Sequence, residues 1–296
     1  MDHVLTLIAA PGGLTPEHTA AVRAALRALA ADVGSPDWLA DAEAADIPFG
    51  AISPDLADAA ARRALGKAAV DAIAQPRAQR RKRVLVADMD STIITSETLD
   101  ELAAFAGLKE RIAAITARSM NGELDFAEAL RLRVGMLKGL GTDALERTWE
   151  ATVLTPGAAT LVATMRADGA FCCLASGGFT FFTGRVAAQL GFDLHVSNLL
   201  LEAEGKLTGT VAEPIFDRDS KLATLKRLAA ERGVSLAATL AVGDGANDLA
   251  MIKAAGLGVA FRAKPVVSAA ARARVDHGDL HALLFAQGYR RAEFAT

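Results

Sequence analysis

The sequence is poor in the features that mark whole classes of protein. Only two of its 296 residues are cysteine, and they are neighbours, Cys172 and Cys173. Adjacent residues of one strand point to opposite faces, so no disulfide framework is available. The pair reads as two small apolar core residues in a reducing compartment. The formal net charge is −3, and the one basic run, RAQRRKR (Arg77, Arg80, Arg81, Lys82, Arg83), carries no interleaved aromatic for base stacking. Neither nucleic acid nor an anionic membrane is indicated, and the run is expected to be a solvated linker. Long apolar stretches are missing too. The longest uncharged run, Gly169 to Gly184, is broken by Ser176, Gly177, Gly178, Thr180 and Thr183 and is too short and polar to span a bilayer. Asp2 stands where a secretory signal would carry positive charge, so a cytoplasmic protein is expected. There is no internal repeat, P-loop, HExxH, GxSxG, or GxGxxG opening a βαβ unit.

What is present centres on Val84 to Thr92, VLVADMDST. Val84 to Ala87 form a short apolar run, expected as a strand buried on both faces of a parallel sheet. Asp88 and Asp90 follow it two residues apart, with the hydroxyls Ser91 and Thr92 beyond. Two carboxylates at a strand's carboxyl end can converge on one hard cation. They can equally serve as a nucleophile and an acid or base beside it. A plain turn and helix cap is the competing reading of the same residues.

The length allows two domains, or one with an insertion. Toward the N-terminus, Val4–Ala9 is expected as a strand and Thr15–Asp32 as a helix, with Thr15 as cap and Pro16 at its first position. Asp41–Ser53 reads as loop with a short strand, and Asp55–Ala74 as an Ala-rich helix. The domain boundary is placed near Gln75 to Arg83, giving domains of residues 1–76 and 77–296. After Asp90 comes a helical block of about residues 98–155, with helices over Thr98–Ala106, Lys109–Asn121, Phe126–Lys138 and Thr142–Ala151. An insertion at that point stands over the carboxyl edge of the sheet, where a lid would be. From Pro156 short apolar strands alternate with helices, the last helices being Val266–Ala273 and Asp279–Ala286. The pattern gives an α/β fold with a doubly wound parallel sheet.

Other strand ends add to the set. Phe171–Ala175 is followed by Ser176-Gly177-Gly178, whose hydroxyl and free N–H groups make an anion nest or, equally, a helix cap. Lys221 stands near a helix start, where the dipole disfavours a cation. Thr239–Val242 leads into Gly243-Asp244-Gly245-Ala246-Asn247-Asp248, an oxygen-rich loop suited to Mg²⁺. Carboxylates, hydroxyl, lysine and carboxylates at successive strand ends describe a phosphoryl-transfer site, with Asp88 attacking phosphorus.

DMDST, SGGF, Lys221 and GDGAND are similar to the four motifs of the haloacid dehalogenase superfamily. Val84 to about Leu284, some two thirds of the chain, resembles its phosphoserine phosphatases. The resemblance implies hydrolysis of O-phosphoserine through an aspartyl-phosphate, the last step of serine biosynthesis. Asp88 would be the nucleophile and Asp90 the acid and base. Mg²⁺ would be held by Asp88, the backbone carbonyl of Asp90 and Asp244, with Asp248 supporting. Ser176, Gly177, Lys221 and Asn247 would bind phosphate. In the helical cap, Glu97 would take the ammonium and Arg133 the carboxylate, while Met120 and Phe126 would shut out water. The N-terminal segment is similar to an ACT-like regulatory or dimerisation domain, which leaves a homodimer open. The alternatives are a phosphotransferase to another small alcohol such as homoserine, and a non-enzymatic amino-acid sensor.

Overall fold

A computed structural model describes residues 1–295, which form two compact units. The first holds Met1–Arg83, Pro156–Ala170 and the chain from Arg272 onward. Its N-terminal part runs β1 (His3–Ala9), α1 (Pro16–Ala28), β2 (Asp32–Val33), β3 (Asp37–Ala40), β4 (Ala44–Gly50), α2 (Pro54–Leu65) and β5 (Val70–Pro76). The strands form an antiparallel sheet in the order β2-β4-β1-β5, with β3 also paired to β4. Leu5 and Leu7 of β1 join Val22 and Leu26 of α1, Ala57 and Ala61 of α2, and Ile47 and Phe49 of β4 in one core. The helical residues recur at three- and four-residue spacing, as an amphipathic face requires.

Three expectations are corrected in this unit. The helix expected over Asp55–Ala74 stops at Leu65, and Val70–Pro76 is a strand. Gly66 turns the chain with φ +59°, a conformation that favours glycine, and alanine enrichment concealed the change of period. The stretch Asp41–Ser53 contains a full seven-residue strand rather than mostly loop. Finally, the basic run is solvated only in part: Arg77, Arg81 and Arg83 are exposed, but Arg80 and Lys82 are not. Arg80 donates to both oxygens of Asp46, to Thr6 Oγ1 and to the carbonyls of Phe285 and Ala286, while Lys82 is 3% exposed. A guanidinium with this many acceptors is satisfied in a buried place where a loose arginine would not be.

The second unit, Val84–Thr155 with Phe171–Ala271, opens with β6 (Val84–Ala87). A helical insertion follows: α3 (Thr98–Ala104), α4 (Lys109–Met120), α5 (Phe126–Gly135) and α6 (Asp143–Glu150). Its two ends meet in a bridge between Ile94 and Leu154. The chain then forms α7 (Ala158–Ala167), part of the first unit, before returning as β7 (Phe171–Phe179), α8 (Thr180–Leu190) and β8 (Leu194–Asn198). A hairpin, β9 (Leu200–Ala203) and β10 (Lys206–Val211), leads to α9 (Arg218–Glu231), β11 (Thr239–Gly243), α10 (Leu249–Ala254), β12 (Leu257–Phe261) and α11 (Pro265–Ala270). The strand β13 (Ala273–Val275) and the helix α12 (His281–Ala286) belong to the first unit. The helix expected over Val266–Ala273 therefore ends early and gives way to β13.

The sheet of the second unit is parallel, in the order β12-β11-β6-β7-β8. From β6 the chain builds outward to β7 and β8, then crosses to lay down β11 and β12 on the other side. The crevice between β6 and β11 is thus the switch point, where ligands of such sheets bind. Val84, Val86, Cys173, Ala175 and Ala241 pack on one face with Leu225, Leu228 and Met251. Cys172 lies on the opposite face, and both cysteines are buried and outside any disulfide among the described residues. Among the described residues no helix is long and apolar enough to cross a membrane.

Candidate active site

Strand register brings the motifs together. Ala87 pairs with Val242 on one side and Leu174 on the other, so Asp88, Gly243-Asp244 and Ala175-Ser176 stand at nearly the same height. The strand expected over Phe171–Ala175 runs on to Phe179, its register shifting after Ala175, so Ser176-Gly177-Gly178 is the irregular end of β7 rather than a loop. Asp88 N–H donates to the Val242 carbonyl at 3.0 Å, which extends the ladder one residue past β6. The chain then folds back through a wide turn over Met89–Ile93, in which Ser91 takes φ +55°. That left-handed conformation costs a non-glycine residue on the order of 1 kcal/mol. The turn aims Asp90 at the cap: its Oδ1 accepts from Thr98 N–H at 2.7 Å, capping α3 from a distance. Asp90 Oδ2 accepts from Ser176 Oγ at 3.2 Å, and Ser176 Oγ accepts from Gly178 N–H at 2.9 Å.

Beneath these groups lies a buried charge cluster. Lys221, on α9, has no exposed side-chain surface and donates to Asp88 Oδ1 and Asp248 Oδ1, both at 2.6 Å. Asp248 Oδ2 also accepts from Gly245 N–H at 3.0 Å. Single oxygens of Asp88, Asp244 and Asp248 lie within 4.8 Å of one another. One ammonium therefore faces three buried carboxylates. Burial acts to lower the Lys221 pKa, but Asp248 and Asp88 outweigh it and hold the lysine above its ordinary value. Burial, then repulsion from Asp248, pushes Asp88 well up despite the lysine. Burial, then Glu97 and Asp248, pushes Asp244 up to about 8. Asp90 is raised to about 6 by burial and by Glu97.

Asp244 Oδ2 is buried without a hydrogen bond. Its nearest cation is Lys264 Nζ at 3.5 Å. An orphaned carboxylate oxygen, two carboxylates beside it, a net negative charge and a donor set made only of oxygen fit a hard divalent cation. Without such an ion, carboxylates whose folded pKa is raised contribute stability that is present at low pH and lost as pH rises through the folded value. For Asp244 that window runs from about 8 down toward its ordinary value of 3.8. In chelator, the thermal midpoint is expected to rise as pH is lowered from 8 to about 5.5, and added Mg²⁺ is expected to raise it more at pH 8 than at pH 5.5. A Mg²⁺ increment independent of pH would remove the carboxylate trio as the ion's site.

The cap closes over this floor. Asp88, Asp90, Glu97, Met120, Phe126, Arg133, Ser176, Gly177, Asp244 and Asn247 all border one cavity of ≈ 30 Å³, room for about one water. Lys221 and Asp248 stand behind it rather than in its wall. Two glycines allow the approach: a Cβ on Gly177 would meet Phe126 at 2.5 Å, and one on Gly245 would meet Met120 Sδ at 2.8 Å. Ala246 N–H donates to the Met120 carbonyl at 3.0 Å, tying α4 to the loop after β11. Glu97 Oε1 accepts from Ser91 Oγ at 2.6 Å, and burial raises the Glu97 pKa.

Several residues of the site escaped the sequence reading. Lys264 follows the end of β12 and lies outside the four sequence motifs. Asn198, at the end of β8, donates to the Gly177 and Phe216 carbonyls and accepts from Phe216 N–H, which pins the Ser176-Gly177-Gly178 end of β7. Ser91 was noted only as a hydroxyl beside the aspartates, not as the partner of Glu97.

A parallel sheet whose strand ends carry these carboxylates beneath a helical insertion is the architecture of the haloacid dehalogenase-like hydrolases. That family's profile matches residues 85–253, and the chain belongs to it. A phosphoserine phosphatase of Streptomyces coelicolor is 45% identical over 215 residues, 73% of this chain and 52% of that relative. The chain thus spans about half the length of that relative and of the one from Mycobacterium tuberculosis. A substrate-bound phosphoserine phosphatase superposes with a TM-score of 0.67 at 36% identity, over 69% of this chain and 98% of that one. A probable phosphoserine phosphatase of Vibrio cholerae, in unliganded form, covers 99% of this chain and 88% of its own, with a TM-score of 0.77 at 32% identity.

Proposed function

We propose that this chain is a Mg²⁺-dependent phosphoserine phosphatase. The observation that carries the reading is the cavity in which Asp88 and Asp90 share a wall with Glu97 and Arg133. A nucleophile and a proton carrier there face one acidic and one basic group, the complement of an amino acid's ammonium and carboxylate. Asp88 attacks phosphorus, forming a P–O bond as the P–O bond to the serine oxygen breaks. The electron pair goes to that oxygen, which takes a proton from Asp90. Asp90, now a carboxylate, takes a proton from a water that attacks phosphorus and releases Asp88. Ser176, Gly177, Lys221 and Asn247 hold the phosphoryl oxygens. Glu97 binds the ammonium and Arg133 the carboxylate. Met120 and Phe126 exclude bulk water, which strengthens every charge interaction inside. Asp88, the Asp90 carbonyl and Asp244 would hold Mg²⁺, with Asp248 in support. The chemistry the ion supplies is charge compensation between an anionic carboxylate and a phosphate dianion. The βαβββαβ order of residues 1–76, an antiparallel sheet with two helices, supports an ACT-like regulatory or dimerisation role for that segment.

Phosphate release should be measured over a panel of phosphorylated metabolites, with and without chelator and acceptor alcohols. Phosphoserine is expected to lead, with activity abolished by chelator. Phosphate passing chiefly to an added alcohol would instead mark a phosphotransferase. Arg133→Ala is expected to lower kcat/KM for phosphoserine by about 100-fold, the loss of a buried charge-assisted pair, with much smaller change on p-nitrophenyl phosphate. Equal losses on both substrates would remove Arg133 from carboxylate recognition.

A further inference from the structure

Arg133 is 3% exposed, yet no carboxylate of the protein is bonded to it. Its Nε donates to the Ala129 carbonyl one turn back at 3.1 Å, and its Nη1 to Thr116 Oγ1 at 2.9 Å. A guanidinium has five N–H donors, so three remain without a partner among the described residues. Burial lowers the Arg133 pKa, and the largest compensating charge is Asp100. Asp100 reaches Arg133 only through Thr116, whose hydroxyl donates to Asp100 Oδ1 at 2.6 Å.

That arrangement solves a conflict. A buried arginine needs a counter-charge, but a carboxylate paired directly with it would occupy the bidentate fork that a substrate carboxylate must use. Thr116 separates the two. Its one proton has two acceptors, Asp100 Oδ1 at 2.6 Å and the Ile112 carbonyl at 3.2 Å, and the short charge-assisted bond to Asp100 prevails. The oxygen's lone pairs are thereby turned to Arg133, and the chain Asp100–Thr116–Arg133 polarises along its length. All three residues are buried, so water cannot replace a missing link. Asp100 and Thr116 lie on α3 and α4, so the chain also ties both helices to α5 around the substrate.

We infer that Thr116 and Asp100 are positioning residues that hold Arg133 in place and compensate its charge while leaving its fork open to the substrate carboxylate. The inference rests on the role proposed above for Arg133. The test compares phosphoserine with phosphoethanolamine, which keeps phosphate and ammonium but lacks the carboxylate. Thr116→Val, close in shape, is expected to raise KM for phosphoserine about tenfold with kcat changed less than threefold, the size of one charge-assisted hydrogen bond. Its kcat/KM for phosphoethanolamine should stay within about twofold, and Thr116→Ser should restore phosphoserine KM to near the parent value. Asp100→Asn, which keeps the volume and removes the charge, should move KM in the same direction, and it provides the test should Thr116→Val fold poorly. Arg133→Ala is run beside them. If it discriminates between the two substrates while Thr116→Val and Asp100→Asn keep the parent KM, the positioning role is overturned and the reading of Arg133 stands. If Arg133→Ala loses both substrates equally, the reading of Arg133 fails and takes the positioning role with it.

Discussion

Asp88→Asn is expected to reduce phosphate release by roughly ten-thousandfold or more, the scale of losing a nucleophile. The same substitution should leave the metal-free protein at least as stable as the parent. Asp88 is one of three buried carboxylates whose one buried cation, Lys221, is shared between Asp88 and Asp248, and its pKa is pushed up by burial and by Asp248. A neutral amide of the same shape removes one uncompensated charge and can still accept from Lys221. The thermal midpoint in chelator should therefore rise, by about 2–4 °C for each 1 kcal/mol gained in a chain of this size. Loss of activity with a raised midpoint separates a nucleophile from a structural aspartate, whose removal would lower both. Normal turnover in the variant would refute the assignment outright.

The division between what the residues announced and what they concealed follows from distance along the chain. Asp88 and Asp90, Ser176 and Gly177, or Asp244, Asn247 and Asp248 each lie within a few residues of one another, directly after an apolar run that reads as a buried strand. The doubly wound sheet was legible for the same reason: β6, β7, β11 and β12 are short, apolar and separated by helices. Their parallel register, not any further sequence signal, sets the loops at one height. The N-terminal unit was harder to read. Alanine favours helix and is uncommon in strands, so Ala72 and Ala74 of β5, following Ala57, Ala60 and Ala61 of α2, extended the helical pattern past its true end. Positioning groups were invisible for another reason. Thr116 in AITAR and Asp100 in TLDEL look like ordinary helix residues, and only the packing of α3, α4 and α5 makes them one hydrogen-bonded chain. Arg80 and Lys82 show the converse. A run of five cations within seven residues suggests solvent, and only tertiary structure reveals the acceptors that take up Arg80 and the packing that buries Lys82.

Lys221→Met is expected to do the opposite of Asp88→Asn to stability while also removing activity. The ammonium has no exposed surface and makes both of its 2.6 Å contacts to carboxylates. Methionine fills much of the same space but leaves Asp88 and Asp248 without their ammonium, and Lys264, 3.5 Å from Asp244, as the cation beside the three carboxylates. Breaking a buried pair from one side costs about 3–5 kcal/mol, enough to lower the midpoint of the metal-free protein by roughly 10 °C. Two conditions should recover much of that loss. Lowering pH protonates carboxylates whose folded pKa is already raised, so the variant should gain more stability than the parent between pH 8 and 5.5. Divalent cation should also raise the variant's midpoint by more than it raises the parent's, because it neutralises the same oxygens. Turnover should stay down by about a thousandfold even with saturating Mg²⁺, since the charge that faces the phosphoryl group in the transition state is gone. A variant as stable as the parent at pH 8 in chelator would mean that the three carboxylates are not ionised together, and the charge balance drawn for the site would have to be redrawn around protonated aspartates.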